Sequence, residues 1–161
     1  MKSLFGSRKS LAGALAPVAM IAAVSFVATP AQAAINEAAV QNYATQMKQA
    51  ANSKNVSKVS SLVADEALIS LSRRGKTTSL DKAAYLKLLQ DSWSKSTNYS
   101  YDISISNIVI SGEQAKADVK TVETWVRDGQ QRTMSTTSRA TLKSDNNNAV
   151  LLGAVSQVTI E

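Results

Sequence analysis

The sequence predicts an α+β domain with helices first and a strongly bent antiparallel sheet after them. Three observations carry this. Apolar residues recur about every fourth position in the early segments and every second position from Tyr99 onward, the periods of helix and strand. The connectors between the later segments are short and rich in Gly, Asn and Asp, as antiparallel hairpins require. Inside two of those segments the apolar residues change parity, which is how a β-bulge shows itself in a sequence.

Residues 1–33 stand apart from the fold. "MKSLFGSRK" carries three positive charges and no negative one, and the 18 residues 11–28 are uncharged and apolar. Pro30 and the small residues of Ala31-Gln32-Ala33 follow, so we expect a secretory signal peptide cleaved between Ala33 and Ala34. The competing reading is a retained anchor, since the run approaches the ~20 residues that span a bilayer. The weak hydrophobicity of its many alanines and the small-residue ending favour cleavage, with no stable anchor left behind. Export is the expected localisation: periplasmic in a Gram-negative cell, otherwise secreted.

Residues 34–161 then form one domain, long enough for a real core. From Ile35 an apolar stripe runs through Ala39, Tyr43, Met47 and Ala51, a helix ended by "NSKN" at 52–55. A shorter helix follows with Val56, Val59, Leu62 and Val63 on one side. "ALISLS", 67–72, alternates as a short strand, and "RRGK" turns it, with Arg73 and Arg74 at a solvated tip. Thr78 and Asp81 have the spacing of a capping box for a helix from about Leu80 to Ser94. Leu80, Ala84 and Leu88 form one apolar line along that helix, with Tyr85, Leu89 and Trp93 beside it. Four long strands complete the chain, at about 98–110, 114–127, 131–143 and 148–160. In the first, Tyr99, Tyr101, Ile103 and Ile105 give way to Ile108 and Ile110. In the second, Ala115, Ala117 and Val119 give way to Val122, Thr124 and Val126.

Composition excludes much chemistry. The chain has no Cys and no His. Zinc, copper, haem and iron–sulfur sites lose their usual ligands, and so do Ser–His and Cys–His nucleophiles. No metal and no cofactor is expected. The formal charge is +6; without residues 1–33, which hold three basic and no acidic residues, it is +3. The basic residues are scattered, so no nucleic-acid partner is expected.

This order of elements resembles the nuclear-transport-factor-2-like (SnoaL-like) superfamily. The resemblance lies in "AVQNYATQMKQAANSKNVSKVSSLVADEALISL" for paired helices entering the first strand. It continues in "GKTTSLDKAAYLKLLQDSW" for the turn and third helix, and in "ADVKTVETWV" for a central strand. It implies a cone: a bent antiparallel sheet wrapped around about three N-terminal helices, often with a cavity between. That fold hosts isomerases, dehydratases, hydrolases, ligand carriers and dimerisation modules, so it leaves function open.

Enzymes of that superfamily rely on Asp, Tyr or His in the cavity, which directs attention to polar residues on strand faces. Glu123 shares parity with Val119 and Trp125. It is either an interior carboxylate, raised in pKa and usable as a general base, or a solvated or ion-paired one. Arg139 either clamps an anionic ligand or pairs with a neighbouring acid at the surface. Trp93, Tyr99, Tyr101 and Trp125 line an apolar pocket or fill the core. Asp102 falls on the solvated side. The Ser/Thr-rich third long strand suits solvent or a modest homodimer contact. We expect an exported module that binds a small apolar or anionic ligand or a protein partner, without evident catalytic machinery. The alternative is an isomerase or dehydratase with Glu123 as base and Tyr99 or Tyr101 at the developing oxyanion.

Overall fold

A computed structural model describes residues 34–161. The expected leader and the residue on the leader side of its cleavage, Ala33, lie outside the described residues. Among the described residues no helix is long and apolar enough to cross a membrane.

Helix α1 is Glu37–Asn52. Asn36 starts it, its side chain accepting from the Ala39 N–H at 2.8 Å, a standard N-cap. The buried face is Val40, Tyr43, Ala44, Met47, Ala50 and Ala51. Lys54, with φ 51°, breaks the chain away, and Asn55 caps α2, Val56–Ser61. Val63 was expected on this second helix. It belongs instead to strand β1, Val63–Arg73. The Leu62 carbonyl accepts from Leu151 N–H at 2.8 Å, so the sheet claims the chain one turn earlier than the apolar spacing suggests.

Strand β2, Lys76–Asp81, leads directly into α3, Lys82–Ser94. Here too the boundary differs from expectation. Thr78 and Leu80 stay in the sheet, opposite Leu71 and Ile69. Asp81 is itself the N-cap, accepting from Ala84 N–H at 2.8 Å. Leu80, Ala84 and Leu88 therefore do not form one buried line, and Leu88 is exposed. The line of Tyr85, Leu89 and Trp93 is the one that packs against the core.

The remaining strands are β3 (Thr97–Ser111), β4 (Gln114–Arg127), β5 (Gln130–Asp145) and β6 (Asn148–Ile160). The sheet order is β2-β1-β6-β5-β4-β3. All neighbours run antiparallel except β1 and β6, which are parallel. Tight turns fix the hairpins. Asp128-Gly129 and Asn146-Asn147 both take positive φ at each central residue, the type I′ pattern that matches strand twist.

The parity change foreseen in β3 exists: the register slips between Ser106 and Val109, around Asn107 at φ 51°. The change foreseen in β4 does not. β4 pairs with β5 without a break from Gln114 to Arg127, so Ala115, Ala117, Val119 and Glu123 share one buried face. Val122, Thr124 and Val126 suit a strand by their branched side chains but lie on the other face. The further irregularities sit near Asn98 in β3, at Leu152 in β6, and between Val63 and Leu68 where β1 pairs with β6. Such bulges bend strands, and the sheet curls without closing.

The core fills the concave side, where α1 packs on β3 and β6. β3 is an edge strand, and α1 covers part of that edge. Asn52 donates Nδ2–H to the Tyr101 carbonyl and accepts the Tyr101 N–H on Oδ1, both at 2.9 Å. One amide side chain thus takes the place of a neighbouring strand. Lys48 pairs with Asp102 beside it at 2.7 Å.

Candidate functional site on the concave face

Strand register places the interior side chains in rows. Tyr101, Glu123, Met134 and Ile160 are opposite one another across β3, β4, β5 and β6. The row deeper in the cone is Ile103, Thr121, Thr136 and Val158. Trp125 follows Glu123 on the same face, one pair toward the chain end of β4. Paired residues share a face of a pleated sheet, and Tyr101 and Ile103 pack on the core, which identifies this face as the inner one.

Glu123 is 9% exposed. The Tyr99 hydroxyl donates to its Oε2 at 2.9 Å, and no other described group bonds the carboxylate. Burial pushes the Glu123 carboxyl above the usual carboxylate range, and the Tyr99 bond pulls it part of the way back. Tyr99 also meets the Trp93 ring edge-on at 5.9 Å between centroids, a favourable aromatic geometry. Trp93 is deeply buried at 4% exposure.

The chain has four tyrosines, and all of them gather here. Tyr85 and Tyr99 are raised by burial first and by the Glu123 charge second. Tyr101 is raised by burial, then by Tyr85, Tyr43 and Glu123. Burial and Tyr85 raise Tyr43. All four phenols stay neutral at any physiological pH. Among the described residues no fully buried side-chain polar atom lacks a partner. The Tyr43, Tyr85 and Tyr101 hydroxyls bond no described residue.

Beyond Glu123 the concave wall is only half covered. Trp125, Met134, Val158 and Ile160 are half-buried and stand outside the main hydrophobic cluster. The helices lie deeper, α1 on β3 and β6 and α3 on β1 and β2.

Of the residues singled out in the sequence, Glu123, Tyr99, Tyr101 and Trp93 come together, with Trp125 on the same face. Arg139 does not join them. It stands on the convex face opposite Asp118 and donates to that carboxylate at 2.8 Å. With it goes the proposed clamp for an anion. Asp102 is exposed, as its parity implies. Sequence reasoning overlooked Tyr43 and Tyr85 as members of the site. Each sits in an apolar helical line, where a phenol reads as core; their one signal is a hydroxyl where Leu or Phe would pack as well.

No protein-family model matches the chain, and no curated protein sequence matches it. Solved structures do. A conserved protein from Planctomyces limnophilus superposes with a TM-score of 0.67 at 15% identity, over 78% of this chain and 97% of that one. An NTF-2-like protein of unknown function from Silicibacter pomeroyi gives 0.57 at 14% identity, over 76% and 94%. A candidate scytalone dehydratase from Novosphingobium aromaticivorans gives 0.64 at 12% identity, over 77% and 85%. At such identities the likeness is one of fold.

Proposed function

From the premise that this chain has the nuclear-transport-factor-2-like fold, we propose that it is an exported protein binding a small, mainly apolar molecule on the concave face. One observation carries the reading. A half-exposed apolar wall of Trp125, Met134, Val158 and Ile160 runs up to a polar pair, the buried Glu123 and the half-buried Tyr99. Concave apolar surface with a few convergent polar groups is the usual make-up of a ligand site. The wall supplies affinity through burial, and the pair fixes orientation.

Native mass spectrometry of the protein from its own host's extracytoplasmic fraction tests this. A discrete adduct, lost in Ile160→Glu, supports it. A bare chain that captures no apolar probe overturns it and turns attention to protein partners.

A second reading, a proton-transfer enzyme, has its own support. The Oε1 atom of Glu123 is bonded by no described residue, its carboxyl is raised toward neutrality, and Tyr99 is a placed donor. Such a group is suited to act as a general base. Loss of a detected turnover in Glu123→Gln, with ligand binding kept in Arg139→Gln, supports this reading over simple binding.

The convex face is proposed as a homodimer contact. Leu68 and Val155 are exposed there, at 57% and 64%, among Ser, Thr and the Arg139–Asp118 pair. Isolated exposed apolar residues need no explanation, but two on one sheet face suit a small self-complementary contact. Sedimentation of the native chain against Val155→Glu decides it: a dimer that becomes a monomer supports the contact, and a native monomer removes it.

A further inference from the structure

Glu123 is a buried carboxylate without a cation. Among the described residues it enters no ion pair, and two positive groups in its surroundings, Lys54 and Arg132, bond neutral oxygens instead. Lys54 lies over the Tyr99 ring at 6.0 Å and donates to the Trp93 and Ser96 carbonyls at 3.1 and 2.6 Å. Arg132, on the same face beyond Met134, donates to Gln130 Oε1 at 2.9 Å. The other titratable groups around the carboxylate are Tyr85 from α3 and Tyr99 and Tyr101 from β3, with Tyr43 from α1 behind Tyr85 and Tyr101. All are neutral.

A buried charge normally has a partner. Here the only bond from a described residue is one phenol to Oε2, and Oε1 is left without one beside aromatic rings. Ring faces carry negative potential and attract cations, best of all desolvated organic ones. An anionic ligand would meet like charge at Glu123, and the cations nearby, Lys54 and Arg132, already donate to carbonyl and amide oxygens. A hard metal ion would need several oxygen ligands, and one carboxylate among phenols is a poor set. We propose that the concave site takes a small organic ammonium ion. Its charged head pairs with Glu123 among the tyrosine and Trp93 rings, and its apolar body lies along Met134, Val158 and Ile160. This deepens the concave-face binding reading above and rests on it.

Where Glu123 is protonated in the free protein, binding R–NH3+ converts its carboxyl to a carboxylate and releases one proton to solvent. Charge balances: one cation enters and one proton leaves. A neutral ligand of the same shape releases none.

Calorimetry distinguishes the possibilities with three matched probes: phenethylammonium, 2-phenylethanol and phenylacetate. Titrations of the protein run at several pH values from the ordinary Glu range upward, in two buffers of different ionisation heat. The expected result is phenethylammonium binding about tenfold more tightly than 2-phenylethanol, with proton release for the amine alone and no binding of phenylacetate. Glu123→Gln, checked for folding by circular dichroism, collapses the difference between amine and alcohol. Arg139→Gln leaves it intact. If 2-phenylethanol binds as tightly as the amine, the ammonium class is wrong while concave-face binding stands. If none of the three binds, the concave-face reading falls and this proposal falls with it.

Discussion

Tyr99 holds one oxygen of Glu123 while burial pushes the same carboxyl up. The sign of the resulting pH dependence follows. The folded state keeps its proton at a pH where the unfolded chain has lost it, so stability is full below the ordinary Glu range. It falls as pH rises through the folded value. Glu123→Gln keeps an acceptor for Tyr99 and carries no charge. We expect its thermal midpoint to exceed the native one at neutral pH, with the gain vanishing on acidification to about pH 4. Melting curves of both chains across that range check it. Tyr99→Phe acts in the opposite direction. It strands the carboxylate and costs about 1–3 kcal/mol at neutral pH, and less in the Glu123→Gln background. A double-mutant cycle by denaturant unfolding measures the difference. Part of this site was legible in the sequence: the parity of Glu123 with Val119 and Trp125 is the interior parity. What the sequence hid was the company it keeps, because Tyr43 and Tyr85 reach it from helices distant in the chain.

At the scale of elements, existence was more legible than boundary. The period of Tyr43 and Met47 announced α1, and the bulge near Asn107 announced itself by the shift from Ile105 to Ile108. Boundaries depended on bonds from elsewhere. Val63 left its helix because Leu151 bonds Leu62, and Leu80 left its helix because Ile69 lies opposite. In β4 the branched residues Val122, Thr124 and Val126 on the outer face imitated a parity change that continuous pairing with β5 forbids. Two caps and one clasp are open to test. Asp81→Ala removes the α3 cap and should cost about 1 kcal/mol in chemical denaturation, while Asn36→Ala should cost a comparable amount at α1. Asn52→Ala should cost about 1–3 kcal/mol and also bare the β3 edge. Unpaired edges invite pairing with other chains, so light scattering should show concentration-dependent association in Asn52→Ala alone.

For the molecule as a whole, surface charge works against Glu123. Asp65, Glu66, Asp102 and Asp118 are each held below the usual carboxylate range. A hydrogen bond from Lys82, Lys143 or Lys48 is the main cause for the first three, and one from Asn107, ahead of Arg139, for Asp118. Their stabilisation is present above the ordinary carboxylate range and is lost as pH falls. All four carboxylates are exposed, so salt should screen their pairs. Raising ionic strength should flatten the acid limb of the stability profile and leave the Glu123-dependent limb in place. Thermal melts at low and high salt would show which limb moves.

The third place of β6 in the sheet makes it the strand between two halves built from other parts of the chain. β6 is the last described element to be made, yet it sits between β1 and β5. Until residues 148–160 leave the ribosome, the early hairpin β1–β2 and the later meander β3–β4–β5 have no shared strand to join them. Each half exposes an edge meant for β6, and the cone cannot be drawn shut by either. Among the described strands β6 alone joins the two halves of the sheet, so a chain lacking residues 148–160 leaves two unpaired edges where the native sheet has none.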